Sequence, residues 1–187
     1  MPKLKLFLRE ETSQAACDAL HRGQLDCVLL ATPYACGEID KAILFDDRLF
    51  VAFPKGEAPP GPTVEAEAID ENRLLMLEDG HCLKDHALSA CNRPELRAGA
   101  AMMGTSLHTL VQMVDNGLGL TFVPAMAIDA GILHGTDIDA RPLRSERGFR
   151  QIALVWRRSS PREDEFQLLA QSLRQIAATV IHGFAAA

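Results

Sequence analysis

The sequence predicts an α/β protein with two lobes, and three observations support this prediction. A strand–helix–strand unit opens the chain, a second alternating stretch of strands and helices occupies the middle, and a long amphipathic helix lies at the end. Alternation between the two kinds of element is typical of α/β folds, and ligands of such folds bind between lobes or at the ends of strands.

The opening unit is predicted from apolar periodicity and from helix caps. An alternating run over 3–9 indicates a strand, and Thr12 or Ser13 caps a helix that Gly23 ends. An apolar run over 25–31 indicates a second, buried strand. This order predicts a βαβ unit with parallel strands and a right-handed crossover.

The middle of the chain begins with a longer strand over 43–53, which Asp46 and Asp47 interrupt. Strands and helices then alternate, with each helix opened by a capping residue or closed by a glycine. The expected strands are 73–77, 97–103, 118–123 and 149–156, and the expected helices are 82–91 and 106–116.

The last element is a helix over 163–181 with one apolar face. Apolar residues recur at steps of three and four, so this face is expected to contact a core: Phe166, Leu169, Leu173, Ile176 and Val180. We expect the chain to cross to the second lobe near Asp46 and to return near Arg150. The first lobe would then hold residues 1–46 and 150–187, and the second lobe residues 47–149.

Composition narrows the class of protein. The 187 residues include 48% hydrophobic ones, 19 basic and 25 acidic side chains, and the net charge is −6. These values argue against a disordered chain, and a negative chain does not by itself favour binding to nucleic acid. With no run of 18 apolar residues and no visible signal peptide, we expect no membrane association and a cytoplasmic location. The five cysteines are expected to be thiols there.

The strongest chemical signal is Cys82. It follows a strand and the turn residue Gly80, and it stands at the start of a predicted helix, where free N–H groups and the helix dipole favour a thiolate. His81, Lys84 and His86 would add positive charge, whereas Glu78 and Asp79 oppose it. The alternative is an inert buried thiol.

The spacing between Cys82 and Cys91 suggests a switch. Nine residues of helix span about 13.5 Å, whereas a disulfide needs Cα atoms about 4.4–6.8 Å apart. A bond between them would therefore require the helix to unwind, unless Cys91 is simply a core residue that never meets Cys82. The other cysteines, Cys17, Cys27 and Cys36, are expected to be bystanders, with Cys27 in the core and Cys36 in an exposed loop. No spacing favours a metal site, and we expect no cofactor.

These residues resemble a known family. The segment 74–85, followed by Cys91, is similar to the redox segment of OxyR, the hydrogen-peroxide sensor among LysR-type transcription regulators. Further stretches agree in order and cover nearly the whole chain: a Gly-x-Leu-Asp strand at 23–31, a lobe crossing at 44–46 and a helix–strand unit at 105–124. The resemblance implies a two-lobed, periplasmic-binding-protein-like effector domain.

The resemblance also implies roles for individual residues. Cys82 would be the peroxidatic cysteine, which reacts with peroxide, and Cys91 the resolving one, with His81 preceding the reactive thiol. Arg150 matches the active-site arginine of the family, although a surface arginine at a strand start is the plain alternative. Ser13 matches a threonine of the peroxide pocket, with the adjacent Thr12 as the other possible match; for either residue a simple helix cap is the alternative.

Several family features are absent from this sequence. LysR-type regulators begin with a winged helix-turn-helix and a linker helix, and we expect neither within this chain, since Met1 resembles the segment just before the second strand of the effector domain. We therefore expect its first strand and helix, with another pocket threonine, to be missing. DNA would be bound only through the missing N-terminal part.

The favoured function is thus a peroxide-sensing regulatory domain that is switched by a reversible Cys82–Cys91 disulfide and is not an enzyme. Its expected partners are hydrogen peroxide, further copies of itself in a homodimer or tetramer, and thiol reductants of the glutaredoxin or thioredoxin type. One alternative is a binding module that holds a small ligand in its cleft, with incidental cysteines. Another is a thiol peroxidase, which would turn over peroxide in excess.

Overall fold

The computed structural model of the chain describes residues 4–92 and 102–181. The strands, in chain order, are β1 (Cys27–Thr32), β2 (Ile39–Pro54), β3 (Val64–Glu65), β4 (Leu75–Leu77), β5 (Met102–Gly104), β6 (Thr121–Pro124), β7 (Ile138–Arg144) and β8 (Phe149–Arg157). The α-helices are α1 (Ser13–His21), α2 (Cys82–Cys91), α3 (Leu107–Asp115), α4 (Ala125–Asp129) and α5 (Glu163–Val180).

The helix ends follow the capping residues of the sequence. Thr12 caps α1, where its hydroxyl accepts a hydrogen bond from the Ala15 N–H, and Gly23 adopts a φ of 74° beyond the end of the helix. Ser106 caps α3 in the same way, and α2 has the bounds predicted for it. The predictions for these helices are confirmed because each depends on a few neighbouring residues.

Strand β2 is the element that joins the two halves of the main sheet. Its residues 39–48 pair antiparallel with β8, whereas residues 49–54 pair antiparallel with β6 and β7. The pairing partner changes between Arg48 and Leu49, directly after the two acidic residues. The lobe boundaries that we expect from the sequence remain a prediction, but this strand is continuous through the expected crossing.

The prediction of a parallel βαβ unit at the start is wrong. Strand β1 pairs antiparallel with β8, which lies between β1 and β2 in the sheet. The partner strand comes from much later in the chain, so the local strand–helix–strand order does not show it. Residues 4–9 form no strand; Leu6, Phe7 and Leu8 are exposed instead of paired.

Two groups of buried side chains surround β2. One lies beneath α2 and α3 and includes Leu49, Val51, Leu110 and Val111. The other lies beneath α5, where the rings of Trp156 and Phe166 are in contact at 5.5 Å between centroids and tilted by 35°.

The predicted apolar stripe of α5 is correct only in its first half. Phe166 is buried and Leu169 and Leu173 pack against the core, but Ile176 and Val180 are more than half exposed. Two alanines beside this stripe, Ala170 and Ala177, are buried instead. Small side chains allow a helix to lie close to a sheet. The contact face is therefore rotated from the one that the large side chains indicate.

Sequence analysis missed β3, β7 and α4, which are short or polar. Part of the predicted extended segment, 97–101, lies outside the described residues, and the remainder forms β5, which runs parallel to β4. Within 4–92 and 102–181, no helix combines the length and the apolar character needed to cross a membrane.

Candidate functional site

The site forms around the first residue of α2. The strand β4 ends at Leu77, and Gly80 makes the following turn with a φ of 95°. His81 is the N-cap of α2 and makes no side-chain capping bond, so Cys82 stands at a helix start without a capping side chain. The start of α1 reaches this turn, where the Ser13 N–H donates to the Gly80 carbonyl at 3.1 Å.

Four of the six residues predicted for the site line one cavity of about 280 Å³: Ser13, His81, Cys82 and Arg150. Thr12 is not part of its wall. It caps α1, and its side chain lies against Gly80, where a Cβ atom would be 3.6 Å from the Cβ of Thr12. Of the two candidate hydroxyl groups, that of Ser13 therefore belongs to a residue of the cavity wall.

Arg150 is buried, so the alternative of a surface arginine is wrong. Its Nε and Nη2 atoms lie 3.0 and 2.9 Å from Oδ2 of Asp47, which is 1% exposed. The Met126 N–H donates to the other carboxylate oxygen of Asp47 at 2.9 Å, and the Met126 sulfur lies 3.8 Å from Nη2 of Arg150. Burial raises the pKa of Asp47 and outweighs the opposing effect of Arg150. This network holds the guanidinium at the cavity.

His86 lies one helical turn after Cys82 and is buried. Its pKa is lowered, first by burial and then by the positive charge of Arg150, while a hydrogen bond with the Ala31 backbone and the charge of Asp85 oppose this. The sequence-based expectation that His86 adds positive charge is therefore wrong at neutral pH. Its imidazole instead connects α2 to β1.

Replacing His86 with glutamine is expected to remove a pH-dependent part of the stability. Burial and Arg150 hold the folded pKa of His86 below its ordinary value of 6.5, so the unfolded chain binds more protons between the two values. Stability is present above the unfolded pKa and is lost as the pH falls through that window. Urea denaturation across this range should show a shallower slope for His86→Gln, and equal slopes would contradict the role of His86.

Cys91 lies at the opposite end of α2, away from the cavity. It is 5% exposed, and like Cys82 it is a thiol. The Ser145 hydroxyl donates to the Ala90 carbonyl at 2.6 Å and so fixes this end of the helix. At the other end, Nζ of the buried Lys84 pairs with Asp79 at 2.8 Å. The two thiols are thus held apart by a helix that is anchored at both ends.

Two of the supposed bystander cysteines form a disulfide. Cys17 in α1 and Cys36 after β1 are bonded, with their Cα atoms 5.4 Å apart. The expectation of an exposed Cys36 is also wrong, because Cys36 is 4% exposed. Cys27 is half-buried, and its pKa is raised by burial and then by Asp26. The fold brings Cys17 and Cys36 together although they are 19 positions apart, a spacing that matches no cysteine motif.

A second, larger cavity of about 690 Å³ lies beside the first. Its walls come from α1, the loop after β1, α2 and β8, and they include Gln14, Tyr34, Asp85, His86 and Gln151. The pKa of Tyr34 is raised by burial and then by the charges of Cys82 and Asp85. Across the described parts of the chain, no three His, Cys, Asp or Glu side chains are grouped to hold a metal ion.

Sequence analysis missed Asp47 and Met126 as partners of Arg150, and Tyr34 as a neighbour of Cys82. A signal existed for Asp47, since a carboxylate inside an apolar strand needs a partner when it is buried. Met126 and Tyr34 carry no such signal, because a thioether or a phenol is common in any core or loop.

Comparisons with known proteins show the family of the chain. The family model described as "LysR substrate binding domain" matches residues 1–178. The regulator EstR of Acinetobacter baylyi is 34% identical over 181 residues, which are 96% of this chain and 60% of that protein. The transcriptional dual regulator OxyR of Escherichia coli K12 is 32% identical over 92% of this chain and 57% of its own length. The chain thus spans about three fifths of these relatives.

Solved structures resemble the fold closely. The reduced regulatory domain of OxyR2 from Vibrio vulnificus has a TM-score of 0.85 and 36% identity, and the match covers 94% of this chain and 83% of that one. The reduced OxyR regulatory domain from Pseudomonas aeruginosa has a TM-score of 0.78 and 30% identity over 93% and 84% of the two chains. The chain belongs to the LysR substrate-binding domain family, with the two-lobed α/β fold of the OxyR regulatory domains.

Proposed function

We propose that the chain is the hydrogen-peroxide-sensing regulatory domain of an OxyR-like LysR-type regulator, switched by a reversible Cys82–Cys91 disulfide. The observation that carries this proposal is the cavity that Cys82 shares with Ser13, His81 and Arg150. A thiol at a helix start beside a buried guanidinium is suited to react as the thiolate, and hydroxyl and N–H donors are suited to orient a peroxide.

The proposed chemistry has two steps. The Cys82 thiolate attacks one peroxide oxygen, the O–O bond breaks, and the departing hydroxide leaves as water after it takes up a proton, so that Cys82 becomes a sulfenic acid. The Cys91 thiolate then attacks the Cys82 sulfur, the S–O bond breaks, and the departing hydroxide takes up a proton and leaves as a second water. Two electrons pass from the cysteine pair to the peroxide in all.

The remaining expectations belong to the whole regulator. A thiol reductant of the glutaredoxin or thioredoxin class would return two electrons and two protons to the disulfide. The domain would act in the cytoplasm as a homodimer or tetramer, and DNA would be bound by a separate part of the regulator. The first lobe would hold residues 1–46 and 150–187, and the second lobe residues 47–149. Unwinding of α2 on formation of the disulfide would alter the contacts between copies of the domain.

The test is mass spectrometry after peroxide treatment. Protein with Cys82 and Cys91 as thiols and the Cys17–Cys36 bond intact, as in this structure, is exposed to one equivalent of hydrogen peroxide, and the expected product is a Cys82–Cys91 linkage. Cys82→Ser should give no linkage, whereas Cys91→Ala should accumulate sulfenic acid at Cys82. Wild-type protein in which Cys82 stays a thiol would contradict the proposal. Peroxide consumption in large excess over protein, with a dithiol reductant present, would indicate a peroxidase instead of a sensor.

A second candidate function is a binding domain for a small molecule. Two observations favour it: the cavity of about 690 Å³ beside Cys82, which is far larger than a peroxide needs, and the similarity to EstR, a transcriptional regulator whose name contains no reference to peroxide. A metabolite that raises the melting temperature equally in wild type and Cys82→Ser would support this function.

A further inference from the structure

The Cys17–Cys36 disulfide joins helix α1 to the loop between β1 and β2. Cys17 lies in the middle of α1, and Cys36 lies in the loop between β1 and β2, 19 positions later. Both side chains are buried, at 3% and 4% exposure, and they pack with Leu20 and Val155. The loop residues on either side of Cys36 are exposed, so the bond lies directly beneath the surface.

Helix α1 connects this disulfide to the Cys82 cavity. Cys17 comes one helical turn after Ser13, which lines the cavity and donates its N–H to Gly80 in the turn before Cys82. Thr12, the cap of the same turn, packs against Gly80. Helix α1 therefore lines the cavity with its first turn and is covalently anchored one turn later, at Cys17.

The loop that carries Cys36 reaches the same region from the other side. Tyr34, two residues earlier, donates a hydrogen bond to Gln14 of α1, and the charge of Cys82 is among the causes that raise the pKa of Tyr34. The ring of His21, at the end of α1, lies 2.6 Å from the Cys36 carbonyl oxygen. The disulfide thus adds a covalent bond to the hydrogen bonds between α1 and this loop.

We propose that Cys17–Cys36 is a second thiol–disulfide site, which positions the start of α1 at the Cys82 cavity, so that its reduction slows the reaction of Cys82 with peroxide. This inference deepens the proposed function and rests on it. Reduction by a dithiol breaks the S–S bond and adds two electrons and two protons, while the dithiol closes to its own cyclic disulfide. The loop is then attached to α1 only by noncovalent contacts, which leave both segments more freedom.

The experiment compares two reactions of Cys82 in a Cys91→Ala background. Hydrogen peroxide must be oriented by the cavity wall, whereas iodoacetamide reports only on an accessible thiolate. Three forms are compared: the disulfide closed, the disulfide reduced with dithiothreitol that is then removed, and Cys17→Ala with Cys36→Ala. Sulfenic acid is trapped and both products are quantified by mass spectrometry, with the Cys27 peptide as internal reference.

We expect the peroxide rate to fall by about fivefold or more in both open forms, with the iodoacetamide rate changed less than about twofold, because misplaced positioning groups slow only the oriented reaction. A purely structural disulfide would lower the melting temperature and leave the peroxide-to-iodoacetamide rate ratio unchanged, which would overturn the inference. Isolation of the unreduced protein without a Cys17–Cys36 linkage would also overturn it. Failure of the proposed function is distinguishable, since Cys82 would then form no sulfenic acid in the closed form either.

Discussion

Replacing Arg150 with methionine is expected to lower the free energy of unfolding by about 3–5 kcal/mol, because breaking a buried ion pair leaves one charge without its partner. The charge left behind is that of Asp47, which is 1% exposed, accepts a hydrogen bond from Nε of Arg150 and forms an ion pair with its Nη2. Burial already raises the pKa of Asp47 in the presence of the guanidinium. Urea denaturation of wild type and variant at neutral pH measures the difference.

The loss is expected to shrink as the pH falls. Without Arg150, the folded pKa of Asp47 lies still further above its unfolded value, so between the two values the folded state binds more protons than the unfolded chain does. The stability of the variant therefore rises as the pH falls through that window, while Asp47 becomes a neutral acid. A loss that stays constant over the acidic range would show that Asp47 is not its source.

A matched double variant separates stability from chemistry. Asp47→Asn with Arg150→Met removes both charges. The asparagine keeps an oxygen that can accept the hydrogen bond from the Met126 N–H, which in the wild-type structure lies 2.9 Å from the Asp47 carboxylate. Its stability is expected to return to within about 1 kcal/mol of wild type, since neutral replacements of a buried pair are tolerated. Its reaction with peroxide should nevertheless be slower than that of wild type by about tenfold or more, because the guanidinium that stabilises charge at the cavity is absent.

The local parts of this fold were predictable from the sequence. The start of α1 at Thr12, the start of α3 at Ser106 and both ends of α2 are set by residues within one helical turn, so a single chain is enough to find them. The position of Cys82 at the start of a helix was predictable for the same reason, because a strand end, a glycine turn and a helix start follow one another directly.

The nonlocal parts were not predictable. Strand β8 lies between β1 and β2, and no pattern near β1 shows that its partner comes from residues 149–157. Arg150 and Asp47 pair across 103 positions, and Cys17 meets Cys36 only because α1 packs over the loop after β1. Apolar size also misled the prediction of the α5 contact face, where Ala170 and Ala177 are buried and the larger Ile176 and Val180 are exposed.

Oxidation of Cys82 and Cys91 to a disulfide is expected to unfold α2. The two residues are the first and last of this helix, and the helix places their Cα atoms about 13.5 Å apart along its axis. A disulfide allows at most about 6.8 Å between Cα atoms, so the bond and the intact helix exclude each other. The effect is expected to be large because every turn of α2 lies between the two sulfurs.

Unfolding α2 also removes the contacts that anchor it. Leu83, Ala87 and Leu88 are buried against the core of the second half of the sheet, and they would become exposed or repack. The hydrogen bond from Ser145 to the Ala90 carbonyl would break. The surface around α2 therefore changes in both shape and polarity, which is the kind of change that can alter contacts between copies of the domain.

Hydrogen–deuterium exchange measures this directly. Amides within 82–91 are expected to exchange about tenfold faster or more in the disulfide form than in the reduced form, since helical hydrogen bonds no longer protect them. Amides of α5 should be unchanged and serve as the internal control. Cys91→Ala treated with peroxide should keep the slow exchange of the reduced form, because a sulfenic acid at Cys82 places no constraint on the far end of the helix. Fast exchange in that variant would assign the unfolding to oxidation of Cys82 itself, and slow exchange in the disulfide form would show that α2 accommodates the bond.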